Sequence, residues 1–316
     1  MTDLVELGER GGVILRREAV AMGMNDRAIA AMVSSGLWQR VRRGAYVARE
    51  LWDSLDDLGQ HRILARAVLS TAQCPAVLSH VSAAVEHGAE VWGIDLSQVH
   101  ITRLDGKAGR HEAGVHQHCG RLNDADLQVR DGVPVVSPAR AAVEVTTLAD
   151  TERGLVVVNS LVRDQPQVLE RAKVLAGEMD HWQNTLRTRI VLRLADTRIE
   201  SVAESRASHM FWSQALPYAE PQYKIRDGSG RVVARVDFAI PELGVFFEID
   251  GRVKYLQRRR GKSLEQVLIE EREREKLICR LTGWVCIRIT WADLAHPTRL
   301  AREIRAILRS RRTTAL

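Results

Sequence analysis

A chain of 316 residues is long enough for two or three domains with cores of their own, and 45% hydrophobic residues with 5% aromatics exclude a disordered or fibrous protein. No apolar run approaches the roughly 18 residues of a membrane-spanning helix. No secretory segment is recognised, and the four cysteines form no Cys-x-x-Cys unit, so the expected location is a reducing cytoplasm with no membrane partner. Lys and Arg number 46 against 40 Asp and Glu, and so small an excess, +6, makes its distribution more informative than its sum.

In chain order, Val13 to Met22 has the spacing of a short helix and Gly23 breaks it. Asn25 or Asp26 can cap the next helix, Arg27 to Ser34, which Gly36 ends. This is a helix-turn-helix outline. Leu37 to Val47 then alternates like a small hairpin and carries Arg40, Arg42 and Arg43, as a wing would. With Arg27 these are the N-terminal DNA-binding candidates, and contacts of this kind position a protein on phosphates without reading sequence. Gly11-Gly-Val-Ile-Leu-Arg16 through Trp38-Gln-Arg-Val-Arg-Arg-Gly-Ala-Tyr-Val47 resembles the winged helix of AbiEi-type antitoxins from type IV toxin-antitoxin systems. The resemblance implies duplex DNA and a cognate toxin protein as partners.

The middle region, residues 51–196, carries no defended chemistry. His61 to Thr71 is amphipathic, and Ala76 to His87 is expected as a helix opening near Ser79 after Pro75. Val99 to Arg103 and Val115 to His118 are expected strands, and Gly132 to Leu148 reads as strand, turn and helix. The region resembles the domain that comes after the winged helix in AbiEi-like proteins, which adds no site. His111, His116, His118 and Cys119 invite a zinc reading, but no second pair at ligand spacing accompanies them, and a solvated or hydrogen-bonded surface cluster is expected.

The last region, residues 197–316, is the most informative. Val202, Ala203, Ala207, Met210 and Phe211 repeat at helical spacing and leave Glu200 and Glu204 one turn apart on a more polar face. Val236, Phe238, Ile240, Val245, Phe247 and Ile249 alternate over two short runs, so one face of a hairpin is expected to be apolar while Asp237, Glu248 and Asp250 are displayed on the other. A reversal at Glu242 and Leu243 sets Asp237 opposite Glu248, with Cβ atoms roughly 5 Å apart. Such a pair is stable if one carboxyl is protonated, if basic groups surround it, or if a divalent metal bridges it. Between Arg252 and Arg280 stand ten Lys and Arg against five Glu, among them Arg258, Arg259, Arg260 and Lys262, the remaining DNA-binding candidates. A helix from Glu265 to Leu281, Gly283 as its C-terminal stop and a strand from Trp284 to Thr290 come next. In the last helix Arg299, Arg302, Arg305 and Arg309 line one side and Leu300, Ile304, Ile307 and Leu308 another.

Asp237, the step to Glu248-Ile-Asp-Gly, Lys254 and Gly283-Trp-Val-Cys-Ile-Arg-Ile-Thr290 resemble the PD-(D/E)XK nuclease superfamily, in particular its very-short-patch-repair-like branch. The expected architecture is therefore α/β, or α+β multidomain: a winged helix-turn-helix at 1–50, an α/β middle domain at 51–196, and a restriction-endonuclease-like domain with a central mixed sheet at 197–316. The resemblance implies Mg²⁺ or Mn²⁺ held by Asp237, Glu248 and the carbonyl of Ile249. Glu204 matches the helix acid, and the attack is that of a metal-activated water in line on a DNA phosphodiester. The usual lysine two residues after the glutamate is here Asp250. Lys254 is the substitute, with Arg274 and Lys276 behind it. Three classes emerge: a metal-dependent deoxyribonuclease in phage defence or a toxin-antitoxin context; an antitoxin-like transcriptional regulator whose nuclease fold is inactive; and a module that only contacts a toxin.

Overall fold

The computed structural model describes residues 11–179, 182, 184–250 and 264–314, and its backbone divides into two compact units, 1–192 and 193–316. In the first unit Ile14–Leu15 (β1), Trp38–Arg42 (β2) and Ala45–Ala48 (β3) form an antiparallel sheet in the order β1-β3-β2, beside helices Arg16–Ala21 (α1) and Asp26–Ser34 (α2). Val13 to Leu15 is thus not the first turn of a helix as expected. All three side chains are buried, and the pairings of Ile14 with Tyr46 and Leu15 with Ala45 satisfy their backbone. A short apolar run cannot be told apart as helix or strand by periodicity alone. Gly23 takes φ +91°, and Asn25, not Asp26, caps α2 by accepting from the Ala28 N–H at 2.9 Å, a bond of a type that stabilises a helix by about 1 kcal/mol. Gly44, at φ +76°, closes the wing.

Two further helices, Arg49–Ser54 (α3) and Asp57–Thr71 (α4), tie this segment to the remainder of the unit. Val13, Leu15, Ala45 and Val47 share one apolar cluster with Ile63 and Ala67 of α4. Beyond it Ala76–Leu78 (β4) runs into helix His80–Glu86 (α5), which opens at Ser79 as expected, while Ala76 to Leu78 ahead of it is a strand. Ala76 and Leu78 pair with Arg103 and Ile101, which gives their backbone the partners a helix would have supplied. Strands Val99–Arg103 (β5), His111–Glu112 (β6), Val115–His118 (β7), Leu127–Arg130 (β8) and Val133–Val136 (β9) complete a mixed sheet in the order β6-β7-β5-β4-β9-β8, parallel at β5–β7 and β4–β9. Helices Pro138–Leu148 (α6), Thr151–Val162 (α7), Pro166–Glu178 (α8) and Thr185–Leu194 (α9) come after it, with α5, α7 and α8 packed on α6.

The second unit runs helix Val202–Ser213 (α10), strands Glu220–Arg226 (β10), Val232–Ile240 (β11) and Val245–Asp250 (β12), helix Leu264–Thr282 (α11), strand Val285–Thr290 (β13) and helix Pro297–Thr314 (α12). Its sheet has the order β10-β11-β12-β13, with antiparallel pairs except for the parallel pair β12–β13. The pairs Phe238–Phe247 and Ile240–Val245 centre the reversal on Glu242 and Leu243, where alternation places it, and Gly244 (φ +59°) completes the turn.

The two faces differ from the expectation. Phe238, Ile240, Val245, Phe247 and Ile249 do share a core with Ala203, Ala207, Met210 and Phe211 of α10 and Leu300, Ile304 and Leu308 of α12. Val236, however, joins the opposite cluster with Ile225, Ala239, Phe246 and Ile278 of α11. That face is therefore covered by a helix and not wet. Phe238, Phe246 and Phe247 are all but fully buried, each contributing about 1.5–3 kcal/mol, so the sheet is held from both sides.

Candidate functional site

In the winged helix, Arg27, Arg40 and Arg43 are exposed. Arg42 is half-buried and donates to the Ala113 carbonyl at 3.3 Å, so it is partly committed to internal packing. At the start of α2, Asp26 is gripped by both Arg16 nitrogens at 2.8 Å, and that hydrogen bond holds its carboxyl below the ordinary range.

In the second unit the acids lie where strands β11 and β12 diverge. Continuing the register of Phe238–Phe247 by one step sets Asp237 opposite Glu248, and Asp237 Oδ2 accepts from the Ile249 N–H at 2.7 Å. Glu248 accepts from Arg274 Nη2 of α11 at 2.7 Å, and the same guanidinium donates to the Arg235 carbonyl at 3.2 Å. Asp250 accepts from Arg288 Nη1 at 2.9 Å, while Arg288 Nη2 donates to Glu275 at 2.7 Å. Burial alone would lower the Arg288 guanidinium, but its bond to Glu275 and the charge of Asp250 drive it up. Lys276 instead pairs with Glu273 on the outer side of the helix. Burial and the charges of Glu275 and Glu248 push the Cys286 thiol up, and it packs against the core as a small, partly buried residue.

Glu204 corrects the expectation of a polar helix face, because it is fully buried. Its carboxylate accepts from Ser201 Oγ (2.8 Å), from the Glu200 N–H (3.0 Å) and from Gln222 Nε2 (2.8 Å). Gln222 lies between the pairs Pro221–Phe238 and Tyr223–Val236, hence opposite Asp237, and sits at φ +54°. Sequence reading missed Gln222; a lone amide in a strand gives no signal of a carboxylate partner. Glu200 is exposed and pairs with Arg235 at 2.8 Å. Of the terminal arginines, Arg305 turns inward to the Gln214 carbonyl at the end of α10 and is half-buried. Lys254, Arg258, Arg259, Arg260 and Lys262 lie outside the described residues.

Of the expected histidine cluster, His111 and Cys119 are exposed and His116 and His118 half-buried, and His118 Nε2 lies 2.9 Å from Nδ1 of the buried His100, so the cluster extends inward from the surface. His80 and His100 are buried, His118 is half-buried, and one ligand nitrogen from each lies within 4.8 Å of the other two. His80 and His100, far away along the chain, were invisible to a search for local ligand spacing.

Comparison with known proteins fits the N-terminal geometry. Residues 3–49 match the family model described as "Transcriptional regulator, AbiEi antitoxin". Two Mycobacterium tuberculosis proteins, each named an uncharacterized protein, are 29% identical over 286 residues, covering 89% of this chain and 96% of each relative. A crystal structure of the RV2827C protein from Mycobacterium tuberculosis is similar at 16% identity with a TM-score of 0.33, over 59% of this chain and 77% of that one. No helix among the described residues is long and apolar enough to cross a membrane.

Proposed function

We propose that the chain is a DNA-binding protein of the AbiEi antitoxin type whose second unit is a PD-(D/E)XK-like, metal-dependent deoxyribonuclease, working in the cytoplasm in phage defence or a toxin-antitoxin setting. The winged helix and its family match support the DNA-binding half. The nuclease half is carried by the placement of Asp237 and Glu248 on adjacent strands of a sheet built as helix, three strands, helix and parallel strand.

Two carboxylates and a main-chain carbonyl form an all-oxygen donor set of the kind Mg²⁺ or Mn²⁺ takes, so Asp237, Glu248 and the Ile249 carbonyl would hold the ion. When bound, it supplies Lewis-acid charge to the phosphoryl oxygens. Glu204 positions the strand acids through Gln222, on the strand beside Asp237. Asp250 is held off by Arg288. Lys254 is assigned to orient the attacking water or to contact the phosphate. Arg27, Arg40 and Arg43 neutralise phosphates of duplex DNA, joined by the basic run Arg258, Arg259, Arg260 and Lys262.

One observation favours a second reading. Arg274 already neutralises Glu248, and Asp250 stands in the lysine's usual place. A site balanced in this way is that of an antitoxin-like transcriptional regulator, with a cognate toxin as partner and a silent nuclease fold.

The deciding experiment incubates supercoiled and linear duplex with purified protein in Mg²⁺ or Mn²⁺ and compares wild type with Asp237→Ala and Glu248→Ala. Metal-dependent nicking lost in both variants is the expected result. Tight binding without cutting in either metal establishes the regulator instead, and absence of duplex binding at low salt leaves only the toxin-contacting module.

A further inference from the structure

The first unit holds a second cluster of ligating side chains that the DNA-binding and nuclease reading does not use. His80 stands at the corner between β4 and α5 at φ +52°, a backbone conformation uncommon for histidine. That corner turns its ring onto β7: His80 stacks on His118 with centroids 3.7 Å apart. His100 reaches the same point from β5, where Thr102 pairs with His118, and His100 Nδ1 lies 2.9 Å from His118 Nε2. His116 stacks on the outer side of His118 at 3.9 Å.

From this geometry we propose that His80, His100 and His118 form a three-imidazole site for a divalent transition metal, Zn²⁺ above all, with a fourth position open to the adjoining pocket. The three donor atoms already lie within 4.8 Å of one another. Nitrogens bound tetrahedrally at about 2 Å from zinc stand roughly 3.4 Å apart, so small ring rotations complete the set. An all-imidazole donor set suits zinc, copper and nickel and not Mg²⁺ or Ca²⁺.

The surroundings complete the argument. Glu144 Oε2 accepts from the His80 backbone N–H at 3.0 Å and stands 3.5 Å from His80 Nδ1, whose hydrogen-bond partner is Ser79 Oγ at 3.1 Å; these neighbours occupy one ring nitrogen and leave the other to ligate. Glu144 is in turn held by Arg140 at 2.7 Å. A pocket of about 290 Å³, lined by His80, His118, Thr102 and Arg140 among others, opens beside the imidazoles. Into it face two buried groups whose Thr102 Oγ1 and Arg140 Nη2 atoms have no hydrogen-bond partner. Buried polar atoms of this kind are rare in folded proteins and point to an occupant, here a water or small anion in the metal's fourth position.

The test uses the full untagged chain, stripped with chelator, reloaded with Zn²⁺ and passed through a desalting column, with metal counted by mass spectrometry and affinity measured by calorimetry. The expected result is one Zn²⁺ per chain, weakened at least about tenfold in His100→Gln and in His118→Gln. His111→Gln, an exposed histidine outside the set, should retain wild-type affinity. A wild type that retains no Zn²⁺, or one whose Zn²⁺ persists equally in His118→Gln, overturns the proposal. Should the variants fail to fold, Co²⁺ added to the wild type decides: imidazole-bound cobalt gives intense visible ligand-field bands, and their absence rejects the site.

Discussion

The acids of the second unit and the histidines of the first meet the cost of burying polar groups in opposite ways. Asp237, Glu248 and Asp250 each have a neighbour that answers the carboxylate: the Ile249 N–H, Arg274 and Arg288. The histidines are held neutral by burial, and beside them Thr102 Oγ1 and Arg140 Nη2 stay without a partner. A charge that must be answered leaves a trace in local sequence, as acids followed by a basic run. Rings gathered from two strands and a helix corner leave only a partial one: His118 stands in a local histidine cluster, whereas His80 and His100 do not.

The sharpest way to break the contrast is Arg140→Met. Arg140 is the buried cation between Glu144 and Asp126, both almost fully buried. Removing it strands two carboxylates and should cost about 3–5 kcal/mol in urea unfolding of the full chain. A loss under about 1 kcal/mol would show that the first unit tolerates unanswered charge after all.

Next comes Glu204→Ala, which leaves the Glu200 N–H and Gln222 Nε2 without their acceptor. At about 1–3 kcal/mol for each buried group left unsatisfied, the loss should be about 3 kcal/mol, with Glu204→Gln milder. Equal stability of Glu204→Ala and wild type would remove the positioning role given to this acid.

The smallest effect is set by pH. His61, bonded to Leu96 O and Ser82 Oγ at 2.9 Å, is lowered by burial, and so is His87, bonded to Val136 O at 2.7 Å. A folded-state value below the unfolded one means that the unfolded chain takes the proton first as pH falls. Stability is therefore present above the ordinary histidine range and lost as pH drops through it. The urea midpoint of the first unit should decline between about pH 7.5 and about pH 5.5, less so in His61→Gln. A midpoint that rises on acidification would reverse the assignment.

Much of the fold was legible because it rests on short-range chemistry. Gly23, Asn25, Gly36 and Gly44 punctuate the winged helix as their backbone freedom and capping chemistry require, and Gly283 stops α11 at φ +66°. The reversal at Glu242 and Leu243, which fixes the register of Phe238–Phe247 and Ile240–Val245, came from alternation and one turn. Val13 to Leu15 and Ala76 to Leu78 were misjudged as helix, since three apolar residues fit either period and the partner strand decides.

The sequence by itself determined periods, breaks and the reversal between the two acid-bearing strands, because these depend on residues a few positions apart. Only the tertiary structure decided that Val236 leaves its expected face, that α11 covers the carboxylates and sets Arg274 on Glu248, and that Glu204 is buried on Gln222. It alone brought His80 and His100 to His118. Alternation states which way a side chain points; what lies opposite depends on which distant element packs there, and no local pattern encodes that.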